Sequence, residues 1–382
     1  MKAFNKFGVA VIGLAFILAG CSSSEKVAEQ ASPSVSASPT PTPTPTWPLT
    51  GVESKAAAIT KPVLVIKVEN DPMIRPQSGL ESADIIFEEL VEGGITRFAT
   101  IWQSKFPKEI GPVRSVRHVD VAIAAPIADF FVFSGGARPT ISYVRGNAGK
   151  GVYILTEGAP GMYRTNYHSA PHNLFISPLR LIKGMKKTKT PTQPLFVAGT
   201  RTVAKTPLTP TPAVTESASA SSSSSPKPTP NLAAKLITKV NLRFSSAENP
   251  AWAWSKSLGK WVRSEGSVPA FARSGVRLSA SNVVVLKVKT QDAGYRDPAG
   301  SFVPRTMLEG SGKGWLLVDH KQLPITWSKP TLKSPFTFRD AAGNAVSLKP
   351  GNTWVELIPI DDGNVKFTYP KAKKETSPSP KK

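Results

Sequence analysis

Apolar residues in this chain fall mostly in short runs bounded by Gly, Pro and polar turns, the pattern of strands. Val63-Leu64-Val65-Ile66 is a β-branched run that reads as a strand buried on both faces. Residues 71–79 follow as a loop, with Pro72, Pro76 and Gly79 breaking any regular element and Arg75 among them. Residues 84–102 read as a β-hairpin: Ile85-Ile86-Phe87 leads up to Gly93-Gly94, and Ile95 leads back to Trp102. A two-residue Gly-Gly turn pairs Glu92 with Ile95, Leu90 with Arg97 and Glu88 with Ala99. Glu88, Leu90, Glu92 and Arg97 would then share one face, with Arg97 diagonal to both glutamates. A carboxylate-rich helix over 81–92 is the alternative.

Residues 115–125 carry the clearest helical period, with Val116, Val119 and Ile123 forming a stripe and Pro126 ending it. Phe130 to Ser134 is a further strand, running into Gly135-Gly136 and then a polar helical stretch over 138–145. A strand that enters a Gly-rich turn before a helix is a usual ligand position in α/β proteins. Two glycines also make an ordinary tight turn. Residues 152–155 form a short strand. After 231 the pattern is almost wholly β, with strands expected over 236–244, 283–288, 314–318, 323–327 and 354–358. Trp252, Trp254 and Trp261 flank a turn at Gly259. They read as hairpin core; a sugar-stacking platform is the other reading.

Between these parts lie segments with no such pattern. Residues 22–46 end in a Thr-Pro run that favours extended polyproline II. Residues 183–230 are rich in Thr, Pro, Ser and Lys and lack the apolar surface to fold. Thirty-six prolines in 382 residues agree with long linkers. The expected class is α+β, or α/β: a mixed-sheet N-terminal domain at 47–182 and a mainly β C-terminal domain at 231–367. A disordered linker joins them at 183–230, and a basic tail follows at 368–382. The two parts are free, on sequence, to share one sheet.

The N-terminus adds an address. Lys2 and Lys6 precede an apolar stretch at 7–18, too short for a comfortable membrane span. It ends in Leu18-Ala19-Gly20-Cys21, a bacterial lipobox. Residues 1–21 are then a lipoprotein signal, and Cys21 is the lipid attachment site, acylated with chains such as palmitate. The chain has one cysteine, so neither an internal disulfide nor a cysteine-based metal site is available. The expected location is the outer face of the bacterial cell membrane. Net charge is +22, and much of it sits in the low-complexity segments. That suits loose attraction to anionic headgroups or wall polymers. A nucleic-acid partner is not expected of an exported chain.

Candidate chemistry gathers around I-G-P-V-R-S-V-R-H at 110–118. If Pro112 or Ser115 opens a helix, Arg114, Arg117 and His118 share its first turn. Cations are unfavourable at that end of a helix dipole unless an anion docks there. A solvated basic face, or internal salt bridges, is the plainer reading. His168 and His172 are four apart in H-S-A-P-H-N-L-F, but Pro171 interrupts a helix and no Glu follows His168. No metal or cofactor site is expected. His172 and Asn173 read as hydrogen-bonding residues of a turn.

Several motifs occur together in order: R-P-Q-S-G-L at 75–80, E-G-G-I-T-R-F at 92–98, I-G-P-V-R-S-V-R at 110–117 and A-P-H-N-L at 170–174. Late in the chain come I-T-W at 325–327 and L-K-P-G-N-T-W at 348–354. The chain resembles the YerB-like family of bacterial lipoproteins over most of 47–359. The resemblance implies a two-part domain layout and a lipid anchor, and no established reaction. Three functions remain open. A binding protein would use Arg75, Arg97, Arg114 and Arg117, with His172 and Asn173, to hold carboxylates or phosphates of a cell-wall fragment, or an envelope protein. A wall hydrolase or transferase would use Glu88 or Glu92 as acid/base with His172 assisting. In a purely structural reading, the charged residues form a buried network.

Overall fold

The computed structural model describes residues 45–55, 59–185, 193–198 and 234–371. Cys21, all but the last two residues of the tether, most of the 183–230 stretch and residues 372–382 lie outside them. The described residues fall in one compact unit.

Strands dominate. The N-terminal part supplies β1 (Leu64–Glu69), β2 (Ile85–Leu90), β3 (Thr96–Trp102), β4 (Phe130–Val132) and β5 (Tyr153–Leu155). They pair in the order β5-β4-β1-β3-β2. β1, β4 and β5 run parallel, and β3 lies antiparallel to both β1 and β2. The sheet does not stop there. β2 pairs in parallel with Thr353–Pro359, which pairs in parallel with Asn282–Arg296. Gly310–Val318, Lys321–Lys329 and Phe336–Arg339 continue it. One mixed sheet thus joins both parts of the chain. A second sheet contains the hairpin of Pro250–Ser255 and Lys260–Glu265, in which Trp254 faces Trp261.

The mixed sheet is as expected, but the molecule is mostly β and its helices are short. α1 is Val119–Ala124 and α2 is Arg138–Asn147. The helix expected over 115–125 therefore begins four residues late. Residues 110–117 form no helix, because tertiary partners take their backbone groups. Val113 N–H donates to Leu174 O, Arg114 N–H to Lys67 O, and Pro112 O accepts from Glu69. This segment occupies the edge of β1 beyond the point where β4 ends. Gly111 is required at that crossing, since a Cβ would lie 2.7 Å from the Phe175 ring.

The hairpin forms with a different register. Val91 N–H donates to Ile95 O across a three-residue loop of Glu92, Gly93 and Gly94, both glycines at positive φ. Glu89 therefore faces Arg97, and Glu88 faces Phe98. A one-residue slip moves every side chain to the other face. Glu89, not Glu88, lies on the Arg97 side.

The two faces of the sheet carry separate cores. Val63, Val65, Phe87, Ala99 and Ile101 pack with α1 through Val119 and Ile123. Leu64, Ile66, Phe98 and Trp354 pack against Trp252 and Trp261 of the second sheet. Burying a side chain of this size contributes roughly 1.5–3 kcal/mol, so Trp252 and Trp261 are core anchors. Trp254 is half-buried and stacks on His320. The unpatterned stretch begins later than read. Pro178–Gly184 is helical, Leu195 is buried, and Phe196–Ala198 pairs with Phe336–Arg339.

Candidate functional site

Period-2 alternation in β1, β2 and β3 sets Lys67, Glu69, Glu89 and Arg97 on one face. The extended 114–117 segment and α1 lie over that face. Lys67 is fully buried and its ammonium pairs with Glu89 and, at 2.8 Å, with Asp120 Oδ1. Asp120 Oδ2 accepts from the Arg117 backbone N–H at 2.6 Å, which fixes the start of α1. Burial lowers the Lys67 pKa to about 8, against the opposing pull of Asp120.

Three guanidiniums border the open end of this cluster. Arg114 Nε lies 2.9 Å from Glu69 Oε1, and His172 Nδ1 lies 3.0 Å from the same carboxylate. Arg117 Nε and Nη2 both reach Glu92 Oε2. Arg97 differs from its neighbours. It is 7% exposed, donates from Nη1 to Ser115 O at 3.1 Å, and forms no ion pair among the described residues. Its Nε has no partner. Burial lowers the Arg97 pKa to about 9, with repulsion from Arg117 and Arg114 adding to it and Glu92 and Glu69 opposing.

These arginines line a cleft of about 840 Å³. Gly136 and Ala137 at the start of α2 form one wall. Tyr295, Arg296 and Asp297, at the end of Asn282–Arg296 and just beyond it, form another, so both parts of the chain build the cleft. The 114–116 segment is tied to the Gly-rich turn by Ser134 N–H to Arg114 O and Val116 N–H to Gly135 O.

The residues singled out from sequence do not all meet. Arg97, Arg114 and Arg117 share the cleft, and His172 shares the Glu69 carboxylate with Arg114. Arg75 lies on the opposite side of the sheet, 2.7 Å from Glu248 and 3.5 Å from Glu265. Glu88 is also there, fully buried and 2.8 Å from Arg263. Glu92 and Glu88 thus point to different faces, and Glu88 cannot act with His172. Asn173 is a turn residue, its Oδ1 accepting from Arg164. His168 contacts Arg273, not His172. His118 precedes α1 and packs on Tyr143. Lys67, Glu69 and Glu89 were missed. Their signal was present: charged residues alternating inside apolar strands. The turn at Gly135-Gly136 before α2, read from sequence as a usual ligand position, does line the cleft, whereas Tyr295 carries no comparable local signal.

Comparison with known proteins places these features. The model for the N-terminal domain of a protein family of unknown function, DUF3048, matches residues 49–191, and that for its C-terminal domain matches 240–355. A Bacillus subtilis (strain 168) protein named as a lipoprotein, YerB, is 31% identical over 162 residues. That match spans 42% of this chain and 46% of YerB, so it covers about half of the relative. A crystal structure of YerB from Bacillus subtilis superposes with a TM-score of 0.65 at 22% identity, covering 84% of this chain and 99% of that one. The superposition speaks for the fold. No helix among the described residues is long and apolar enough to cross a membrane.

Proposed function

The chain belongs to the DUF3048 family, and from that membership and the cleft we propose a non-catalytic binding lipoprotein of the cell envelope. Cys21 carries the lipid and holds the folded part at the outer face of the membrane. The cleft takes an anionic group of a cell-wall fragment, and Arg97, Arg114 and Arg117 are its receptors. One observation carries this reading: Arg97 is a buried cation at the cleft with no carboxylate paired to it. A buried charge without a partner is costly, and a ligand anion supplies the partner. The carboxylates at and near the cleft are already engaged: Glu92 by Arg117, Asp297 by the backbone N–H groups of Ala299 and Ser301, and Glu69 by Arg114 and His172. That leaves little for acid/base work.

The test is co-sedimentation with purified wall material. Arg114→Gln combined with Arg117→Gln should weaken binding by roughly tenfold or more, the loss of one to two charge-assisted contacts. Lys239→Gln, on the second sheet, should bind as the parent does. Unchanged wall binding by the double variant would overturn the proposal.

A further inference from the structure

α2 is ten residues long and starts at the cleft. Its N-cap is Ala137, and no side chain accepts from its first-turn N–H groups. Good caps are Ser, Thr, Asp or Asn, so this end is left open. Ala137 and Gly136 line the same cleft as Arg97, Arg114 and Arg117, so the positive end of the helix dipole borders it. No acidic residue lies in its first turn. Positive charge meeting a positive helix end is unfavourable unless an anion sits between them. Arg97 is the second, independent sign, being 7% exposed with an unpartnered Nε.

We propose that the anion is a phosphate ester, seated between the three arginines and the open N-terminus of α2. This rests on the anion-binding reading above and narrows its ligand class. Side-chain donors approach from two elements, β3 through Arg97 and the extended segment through Arg114 and Arg117, and the N-cap of α2 lies beside them, with Pro139 leaving one first-turn position without an N–H. A tetrahedral phosphate offers oxygens in several directions. A planar carboxylate offers two oxygens in one plane, which suits a single arginine fork. The cleft, at about 840 Å³, leaves room for the rest of the ester beside Tyr295. Its place at the turn leaving β4, beside the parallel β1, is the usual position for such a group in sheets of this kind.

Titration calorimetry on the full chain separates the possibilities. The probes are inorganic phosphate, glycerol 3-phosphate, poly(glycerol phosphate) and the carboxylate peptide N-acetyl-D-Ala-D-Ala. At least one phosphate probe should bind at least tenfold tighter than the peptide. Preference between monoester and polymer identifies the source. Ala137→Asp puts a carboxylate where the anion would sit and also caps α2. It should cost tenfold or more in phosphate affinity while the melting temperature holds or rises, a pattern unfolding cannot produce. Peptide binding as tight as phosphate, or unchanged phosphate binding by Ala137→Asp, would overturn the phosphate assignment and leave the anion site standing. If no probe binds and wall material is also ignored, the anion site itself fails.

Discussion

Glu88 and Glu89 are neighbours in β2, yet they belong to two charge clusters with opposite problems. Glu88 faces the space between the two sheets. There Arg263, fully buried, meets Glu88 at 2.8 Å, Glu265 at 2.7 Å and Glu356 at 3.0 Å. The guanidinium also lies 4.8 Å from the Trp354 ring centre, and Trp252 Nε1 donates to Glu356. Arg75 and Glu248 complete the group. Four glutamates thus surround two arginines. The surplus acid is resolved by protonation: burial and Glu88 push Glu356 well up, and burial with Glu88 pushes Glu248 up to about 7. Glu89 faces the other way, toward Lys67 and Arg97. There a cation is short of a partner and the cluster opens into a cleft. A sealed cluster can settle its imbalance only with protons. An open one can settle it with a ligand.

The largest effect expected from this contrast is on the sealed side. Arg263→Met leaves Glu88, Glu265 and Glu356 without their shared cation. Breaking a buried pair from one end costs about 3–5 kcal/mol. For a unit of this size that is a fall of roughly 10 °C in melting temperature, read by thermal denaturation. A loss below about 1 kcal/mol would mean that the cluster does not hold the two sheets together. Lys67→Met should cost somewhat less, about 3 kcal/mol, because Asp120 keeps its bond from the Arg117 backbone and Arg97 stands near. Urea denaturation of the two variants side by side tests the order.

The sealed cluster should also give a pH signature that the cleft does not. The folded value for Glu248 is about 7, above its ordinary 4.5. The folded state therefore holds this proton more tightly than the unfolded chain does. Its stabilising contribution is complete below pH 4.5 and is lost as pH rises through 7. Stability measured in urea should fall across that window, and Glu248→Gln should flatten the fall. Lys67 acts elsewhere: its folded value of about 8 lies below 10.5, so its effect is a rise in stability between those values. A Glu248→Gln curve as steep as the parent's would show that another group titrates there.

What could be read from sequence was local. The strand runs at Val63–Ile66 and Phe130–Val132, the hairpin around Gly93 and the Trp254–Trp261 hairpin all rest on neighbours in the chain. The register of the first hairpin was not legible, because two adjacent glycines accept a loop of two or three residues equally. That single residue decided whether Glu88 or Glu89 would meet Arg97. The helix read over 115–125 starts late, at Val119, for another reason. Its apolar stripe is real, but Lys67 and Leu174 claim the backbone just before it, and helix propensity yields to sheet pairing. Arg75 was misplaced because its partner, Glu248, lies 173 residues further on. Arg114 and Arg117, grouped by spacing with His118, both line the cleft, while His118 packs on Tyr143 instead. What surrounds them comes from α2 and the 295–301 tip, and only the fold brings those together.

The smallest expected change in stability carries the sharpest distinction. If Arg97 belonged to a structural network like that of Arg263, replacing it would be as damaging. Its position argues otherwise. Its side chain makes one hydrogen bond among the described residues, to Ser115 O, and its folded pKa of about 9 lies below the ordinary 12.5. Burial therefore works against its charge. Arg97→Met keeps the length and apolar stem, removes the uncompensated cation, and leaves Glu89 its partner Lys67. Its stability should lie within about 1 kcal/mol of the parent, since apolar replacement of a poorly paired buried charge is often neutral. Binding of wall material should nevertheless fall roughly tenfold. Parallel urea denaturation and co-sedimentation decide the matter. A stability loss near that of Arg263→Met, with binding intact in the folded fraction, would make the two faces of the sheet equivalent and remove the case for a receptor cleft.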